Sequence, residues 1–213
     1  MSDYPPSNPS IHDITNLPET INVAPSIQLS TLQKKQVGVV LDLFQAKGTM
    51  AKLEDWLTED AVYEDLFATT KGRKEVAGQF LGLPVVCQSS STISHQVTQL
   101  HTPPTETSSS STHPIPTSTY PKMYQIDMDI QHRFVFKPLG NQVEMNSTII
   151  IFANPEEEGG RIVRIQDRPV DQISENSIIK ALRTMNAKIT PHILGIPKNE
   201  QEDQAKAEKF GAI

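Results

Sequence analysis

MYQIDMDIQHRFVF, residues 123–136, alternates apolar and polar residues at every second position. Tyr124, Ile126, Met128, Ile130, His132, Phe134 and Phe136 form one set. Gln125, Asp127, Asp129, Gln131 and Arg133 form the other, with Val135 at its end. Side chains alternate between the two faces of a strand, so this spacing predicts a long strand with one buried face. His132 belongs to the buried set. Working outward, Pro138 and Gly140 predict a turn, followed by a strand at about 142–153. NPEEEGG, with its solvated acidic run, then joins a strand at 161–170. On the N-terminal side, 85–100 reads as a strand that is polar in places, with Ile93, His95 and Val97 on its inward face.

Between the strands lies HTPPTETSSSSTHPIPTSTYP, residues 101–121, a Ser/Thr/Pro-rich stretch with nothing to bury. It predicts a disordered insert rather than a domain boundary, because the flanking strands need each other. Upstream, Ser30 can cap a helix with Val37, Val40, Leu41 and Phe44 on one stripe, ended by Gly48. A second helix over 50–57 turns Leu53, Trp56 and Leu57 inward. Residues 61–65 form a short strand. Gly72 opens a third helix carrying Val76, Phe80 and Leu83, and Pro84 stops it. Ser174 caps a last helix with Ile178, Leu182 and Met185 inward. Residues 1–28 read as a mobile tail with a short docking segment around 21–27. Residues 191–213 read as a polar tail whose helical stretch has little to hold it. The expected organisation is one α+β domain, 29–190. In it a strongly curved antiparallel sheet wraps around about three N-terminal helices, with one more helix at the C-terminal end.

Composition narrows the function classes. The chain has 213 residues, 37% of them hydrophobic, with 16 prolines, as expected of a core diluted by disordered segments. A net charge of −6 argues against broad attraction to nucleic acid. The one cysteine, Cys87, excludes an intrachain disulfide and a cysteine-cluster metal site. There is neither a basic-then-apolar N-terminal signal nor an apolar run of membrane-spanning length. These features predict a cytoplasmic protein, with the nucleus open, that takes no nucleic acid and no membrane as partner.

The stretch WLTEDAVYEDLFATTKGRKEVAGQF, residues 56–80, resembles the nuclear transport factor 2-like superfamily. That superfamily includes SnoaL-like polyketide cyclases, ketosteroid isomerases and scytalone dehydratase. The shared pattern is an acidic pair at a helix end, a short strand ending in Glu-Asp, a loop, and Gly-Arg opening a helix with Phe downstream. GGRIVRIQDRP resembles the final strand, and the likeness spans roughly 30–187. It implies a cone-shaped curved sheet enclosing a hydrophobic pocket. Asp65 stands where ketosteroid isomerases carry a proton-shuttling aspartate, which works best partly desolvated against apolar walls such as Phe67. Their two oxyanion donors correspond to about Leu41 and Thr148. Leu41 cannot donate and Thr148 is a weak substitute, so ketosteroid isomerisation is not implied.

Period-two geometry sends a set of polar residues to the concave face along with the apolar ones. The expected acid/base groups are Asp65, His132, Asp167 and His95. The expected pocket lining is Tyr63, Phe67, Ile130, Phe134, Asn146, Thr148, Ile150 and Ile165. Such a set suits a cofactor-free lyase, isomerase or cyclase acting on a small apolar molecule, with no metal. Each residue also has a plainer role. His132 and His95 can be satisfied core residues, Asp65 can cap the loop before Gly72, and Asp167 can pair with Arg168, Arg164 or Arg133. A rival reading is a homodimerisation or protein-binding module. It would use a convex face carrying Val143, Met145, Ser147, Ile149 and Ile151 as an apolar row.

Overall fold

The structure is a computed structural model that describes residues 10–66, 68–103, 122–170 and 196–213. Phe67, most of the insert and the helix expected from Ser174 lie outside the described residues. The stretch 123–136 supplies β4 (Tyr124–Phe136), buried at every second residue from Tyr124 to Phe136. β3 (Cys87–His101) and β5 (Asn141–Ala153) flank it, both antiparallel. β6 (Ile162–Pro169) follows, then β1 (Leu57–Glu64) and β2 (Thr69–Lys71), in the sheet order β2-β1-β6-β5-β4-β3. The expected all-antiparallel sheet needs one correction: β1 runs parallel to β6. Alternation fixes which face a strand buries, not the direction in which distant strands meet.

The register of β5 also needs correction. Val143, Met145, Ser147, Ile149 and Ile151 are buried, while Asn146 is exposed and Thr148 and Ile150 are half-buried on the other face. Residues directly opposite across an antiparallel pair share a face. His132 is opposite Met145 and Ile130 is opposite Ser147, so an inward His132 carries Met145 and Ser147 inward too. The row expected on the convex face is therefore core. Within β3, register shifts between Thr92 and Ser94 and between Val97 and Gln99 re-phase the strand. Ile93 falls at the first shift and is 43% exposed, whereas Val97 is buried.

The helices pack on the inward face. α1 (Thr31–Phe44) starts with a capping box in which Ser30 and Gln33 bond reciprocally. From Gln36 to Phe44 every residue is buried, because the N-terminal segment covers the side of α1 that the sheet does not. α1 ends before Gly48, with Ala46 in the left-handed region (φ 60°). α2 (Met50–Trp56) is capped by Thr49, whose Oγ1 accepts from Lys52 N (3.1 Å). Gly72, at φ 90°, turns the chain into α3 (Arg73–Phe80). Pro84 begins a short α4 (Leu83–Val86) in its first turn, where a missing N–H costs nothing, rather than stopping α3.

Neither end of the described chain is free. Thr15 and Asn16 donate four hydrogen bonds to the Asp42 carboxylate on α1, which also receives Lys52 Nζ (2.9 Å) from α2. The Asp42 and Lys52 side chains are fully buried. Further along, Asn22 O accepts from Val97 N and Val97 O accepts from Ala24 N (2.9 Å each), so the segment runs along β3 at Val23. The tail expected over 1–28 is thus docked from residue 10. At the other end, α5 (Glu200–Phe210) has a definite anchor. Asp203 accepts from Met50 N (2.9 Å) and Ala51 N (2.8 Å), and Ala207 and Ala212 are buried beside Ile11 and Ala51. A polar composition concealed this contact, since the anchor is one carboxylate on a helix N-terminus. No helix among the described residues is long and apolar enough to cross a membrane.

Candidate functional site

The ends of β1 and β6 sort their charged residues by face. On one face Glu64 pairs with Arg164 and with Arg168 (2.6 Å), and Gln166 adds a bond at 3.3 Å. The Arg168 and Arg164 hydrogen bonds hold the Glu64 carboxyl below its ordinary range. On the other face Tyr63 lies opposite Ile165 in parallel register, and Asp65 and Asp167 follow two residues on. Arg164 and Arg168, expected as ion-pair partners for Asp167, are thus committed to Glu64. Arg133 is committed to Glu144 (2.7 Å).

Tyr63 is 6% exposed, edge-on to Phe80 (4.9 Å between centroids) and Phe44 (6.5 Å). Its hydroxyl bonds the Asp65 carboxylate. Burial pushes its pKa well above the ordinary value, with the Asp167 and Asp65 charges adding to the effect. Asp65 also closes the loop after β1: its N–H donates to Ala68 O (3.0 Å), and its Oδ1 accepts from Ala68 N (2.8 Å). Asp167 is 8% exposed. Its carboxyl bonds the Ser147 hydroxyl, while Oδ1 is buried with no partner among the described residues. Burial drives Asp167 up to about 6; the Ser147 bond opposes this, the Asp65 charge adds to it, and Arg168 opposes it weakly. Ser147, expected on the convex face, is therefore a site residue that sequence reasoning missed. Its signal was its phase with Met145 and Ile149, masked by apolar residues on both faces of β5.

His132 is held differently. Ser90 Oγ donates to the Phe44 carbonyl (2.6 Å), so at His132 Nε2 (2.8 Å) it must accept. Thr92 Oγ1 in turn donates to Nδ1 (3.1 Å). The ring is neutral with its proton on Nε2, is 2% exposed, and packs on Phe134 (4.4 Å) and Phe44 (6.0 Å). Burial lowers its pKa to about 4. Both nitrogens are used within the core, which is the packing role rather than that of a proton carrier. His95, on the edge strand, accepts from Asn22 N at Nε2 (3.0 Å) and holds the N-terminal segment. β4, β5 and β6 separate it from Asp65. The structure thus brings together Tyr63, Asp65 and Asp167, with Ile165 beside them. Ile130 and Phe134 lie in the adjoining core, and Asn146, Thr148 and Ile150 are on the opposite face. Thr148 bonds Asp129 there (2.7 Å), so it is no oxyanion donor. Cys87 is buried, and its thiol is pushed up to about 11 by burial. Among the described residues no group of three or more His, Cys, Asp or Glu is placed to hold a metal ion.

No family model matches the sequence, and no curated protein matches it. Solved structures do, 73 chains in all. A ketosteroid isomerase-like protein from Erwinia carotovora atroseptica is 11% identical, with 64% of this chain and 92% of that one covered and a TM-score of 0.47. A nuclear transport factor 2-like superfamily protein from Salmonella enterica is 10% identical, over 67% and 93% of the two chains, with a TM-score of 0.46. A nuclear transport factor 2-like protein of unknown function from an Exiguobacterium species is 13% identical, over 64% and 99%, with a TM-score of 0.42. Paired N-terminal helices, a strand ending at Glu64, a helix opened by Gly72–Arg73 and one six-stranded sheet are the elements that the resemblance at 56–80 implies.

Proposed function

We propose that the chain binds a small, largely apolar molecule beside Asp65 and Asp167 and moves a proton on it without a cofactor. The observation that supports this is the Asp167–Asp65 pair. Asp167 is buried, has one oxygen without a partner among the described residues and is raised to about 6 by burial, whereas Asp65 is held by Tyr63 and Ala68. Two carboxyl groups in unlike environments serve as acid and base at one pH. Asp167 gives a proton, Asp65 takes one, and Phe44, Phe80 and Ile165 keep the surroundings apolar. This division suits a lyase, isomerase or cyclase step.

The test is a titration with small apolar compounds followed at the backbone amides of Tyr63, Asp65 and Asp167. Deuterium uptake by each bound compound is then measured in heavy water. The expected result is saturable shifts at these amides, with exchange slowed at least a hundredfold by Asp65→Asn. Binding that leaves these amides unmoved, or exchange indifferent to Asp65→Asn and Asp167→Asn, overturns the proposal.

A further inference from the structure

The described donors around the carboxyl pair are spent. The Tyr63 hydroxyl donates a hydrogen bond to Asp65, Ser147 bonds Asp167, and His132 Nε2–H donates to Ser90. The cations nearest in sequence to Asp167, Arg164 and Arg168, are bound to Glu64 on the far face of the sheet. Lys52, a fully buried cation, is locked to Asp42 and to the Lys47 carbonyl (2.9 Å each). What remains is an acceptor: Asp167 Oδ1, buried and without a partner among the described residues. A buried acceptor left bare costs free energy comparable to a lost hydrogen bond, and a buried charge costs more.

The surroundings are aromatic as well as anionic. Phe44, Tyr63 and Phe80 stand edge to face within 6.5 Å of one another. Rings and carboxylates both attract positive charge. An anionic or oxyanion-forming ligand would meet two acids there and no free donor among the described residues. A neutral hydroxyl could fill Oδ1 but would leave the like charges of Asp65 and Asp167 opposed. A basic nitrogen does both.

We infer that the ligand of this site carries a basic amine and binds as an ammonium ion paired to the Asp167 carboxylate. Binding makes and breaks no covalent bond, and no oxidant or co-reactant enters. The inference rests on the proposed site and names the class of molecule that fits it.

Three probes of one shape and different charge test it on the full chain: benzylamine, benzyl alcohol and benzoate, titrated at pH 7.5 and followed at the amides of Tyr63, Asp65 and Asp167. The expected result is that benzylamine binds at least tenfold more tightly than benzyl alcohol and that benzoate binds not at all. Asp167→Asn should remove the preference for the amine while benzyl alcohol still binds. Equal or tighter binding of benzyl alcohol or benzoate overturns the amine assignment and leaves the site standing. Failure of all three to perturb these amides overturns the site and the inference together. The charge series on the unsubstituted protein decides the matter even if the variant does not fold.

Discussion

A side-chain carbon on Gly38 would stand 2.2 Å from the carbonyl oxygen of Asn16 and 3.1 Å from Ile14 Cγ2. Gly38 lies inside α1, where glycine is ordinarily worse than alanine by roughly 0.5–1 kcal/mol. The close approach of the N-terminal segment explains its presence. Gly38→Ala should therefore lower stability by about 1–3 kcal/mol, against helix propensity. Urea denaturation measures this, and limited proteolysis should cut faster within residues 10–28 of the variant. A more stable variant would mean that the segment does not lie on Gly38.

The same segment meets the core at Asp42. With both side chains fully buried, removing one partner strands the other as an unpaired charge. Lys52→Met alone should cost about 3–5 kcal/mol, even though Thr15 and Asn16 still donate to Asp42. Asp42→Leu alone should cost at least as much, because it also releases those donors. The double variant should be markedly more stable than the sum of the two changes predicts, with a coupling of about 1–3 kcal/mol. Strict additivity in a denaturation cycle would rule out the buried pair.

How far the fold could be read in the sequence follows from where period two is unambiguous. β4 has one apolar and one polar face, and Tyr124 to Phe136 are placed as the alternation predicts. In β5 the run Ile149, Ile150, Ile151, Phe152 is apolar on both faces, so its phase depends on pairing with β4, which no single strand encodes. In β3 the shifts near Ile93 and Thr98 re-phase the strand without a glycine or proline to mark them. The resemblance at 56–80 led to Asp65, and its neighbour Tyr63 shares its face. Whether an inward histidine is a core residue or an acid/base group depends on what its two nitrogens touch. Ser90 and Thr92 are forty or more residues away in the chain. The docking of residues 10–28 and of α5 is hidden for a related reason. Its polar anchors, Thr15 and Asn16 on Asp42 and Asp203 on the start of α2, join residues far apart in the chain and leave no periodic pattern.

Asp167 and His132 make opposite contributions to stability over one pH range. The folded-state pKa of Asp167 is raised from 3.8 to about 6, so the native protein holds that proton more tightly than the unfolded chain does. Its contribution is present below about pH 4 and is lost as pH rises through 6, a swing of roughly 3 kcal/mol. The pKa of His132 is lowered from 6.5 to about 4, so the unfolded chain binds that proton more tightly. Its contribution is present above about pH 6.5 and is lost as pH falls through 4, again by roughly 3 kcal/mol. Between these limits the two slopes largely cancel in the unsubstituted protein. Asp167→Asn removes one of them. The variant should be more stable than the parent at pH 7.5, by up to roughly 3 kcal/mol, because no carboxylate is then ionised in an apolar site. On acidification to pH 4.5 the advantage should shrink steadily, because Asp167 of the folded parent takes up its proton, while the His132 term is common to both proteins. Glu64 titrates alike in both proteins and drops out of the difference. Urea denaturation of parent and variant at half-unit steps from pH 4 to 7.5 measures this difference directly. Curves that stay parallel throughout would show that Asp167 titrates as an ordinary carboxylate, and a difference of the opposite sign would place it in an ion pair.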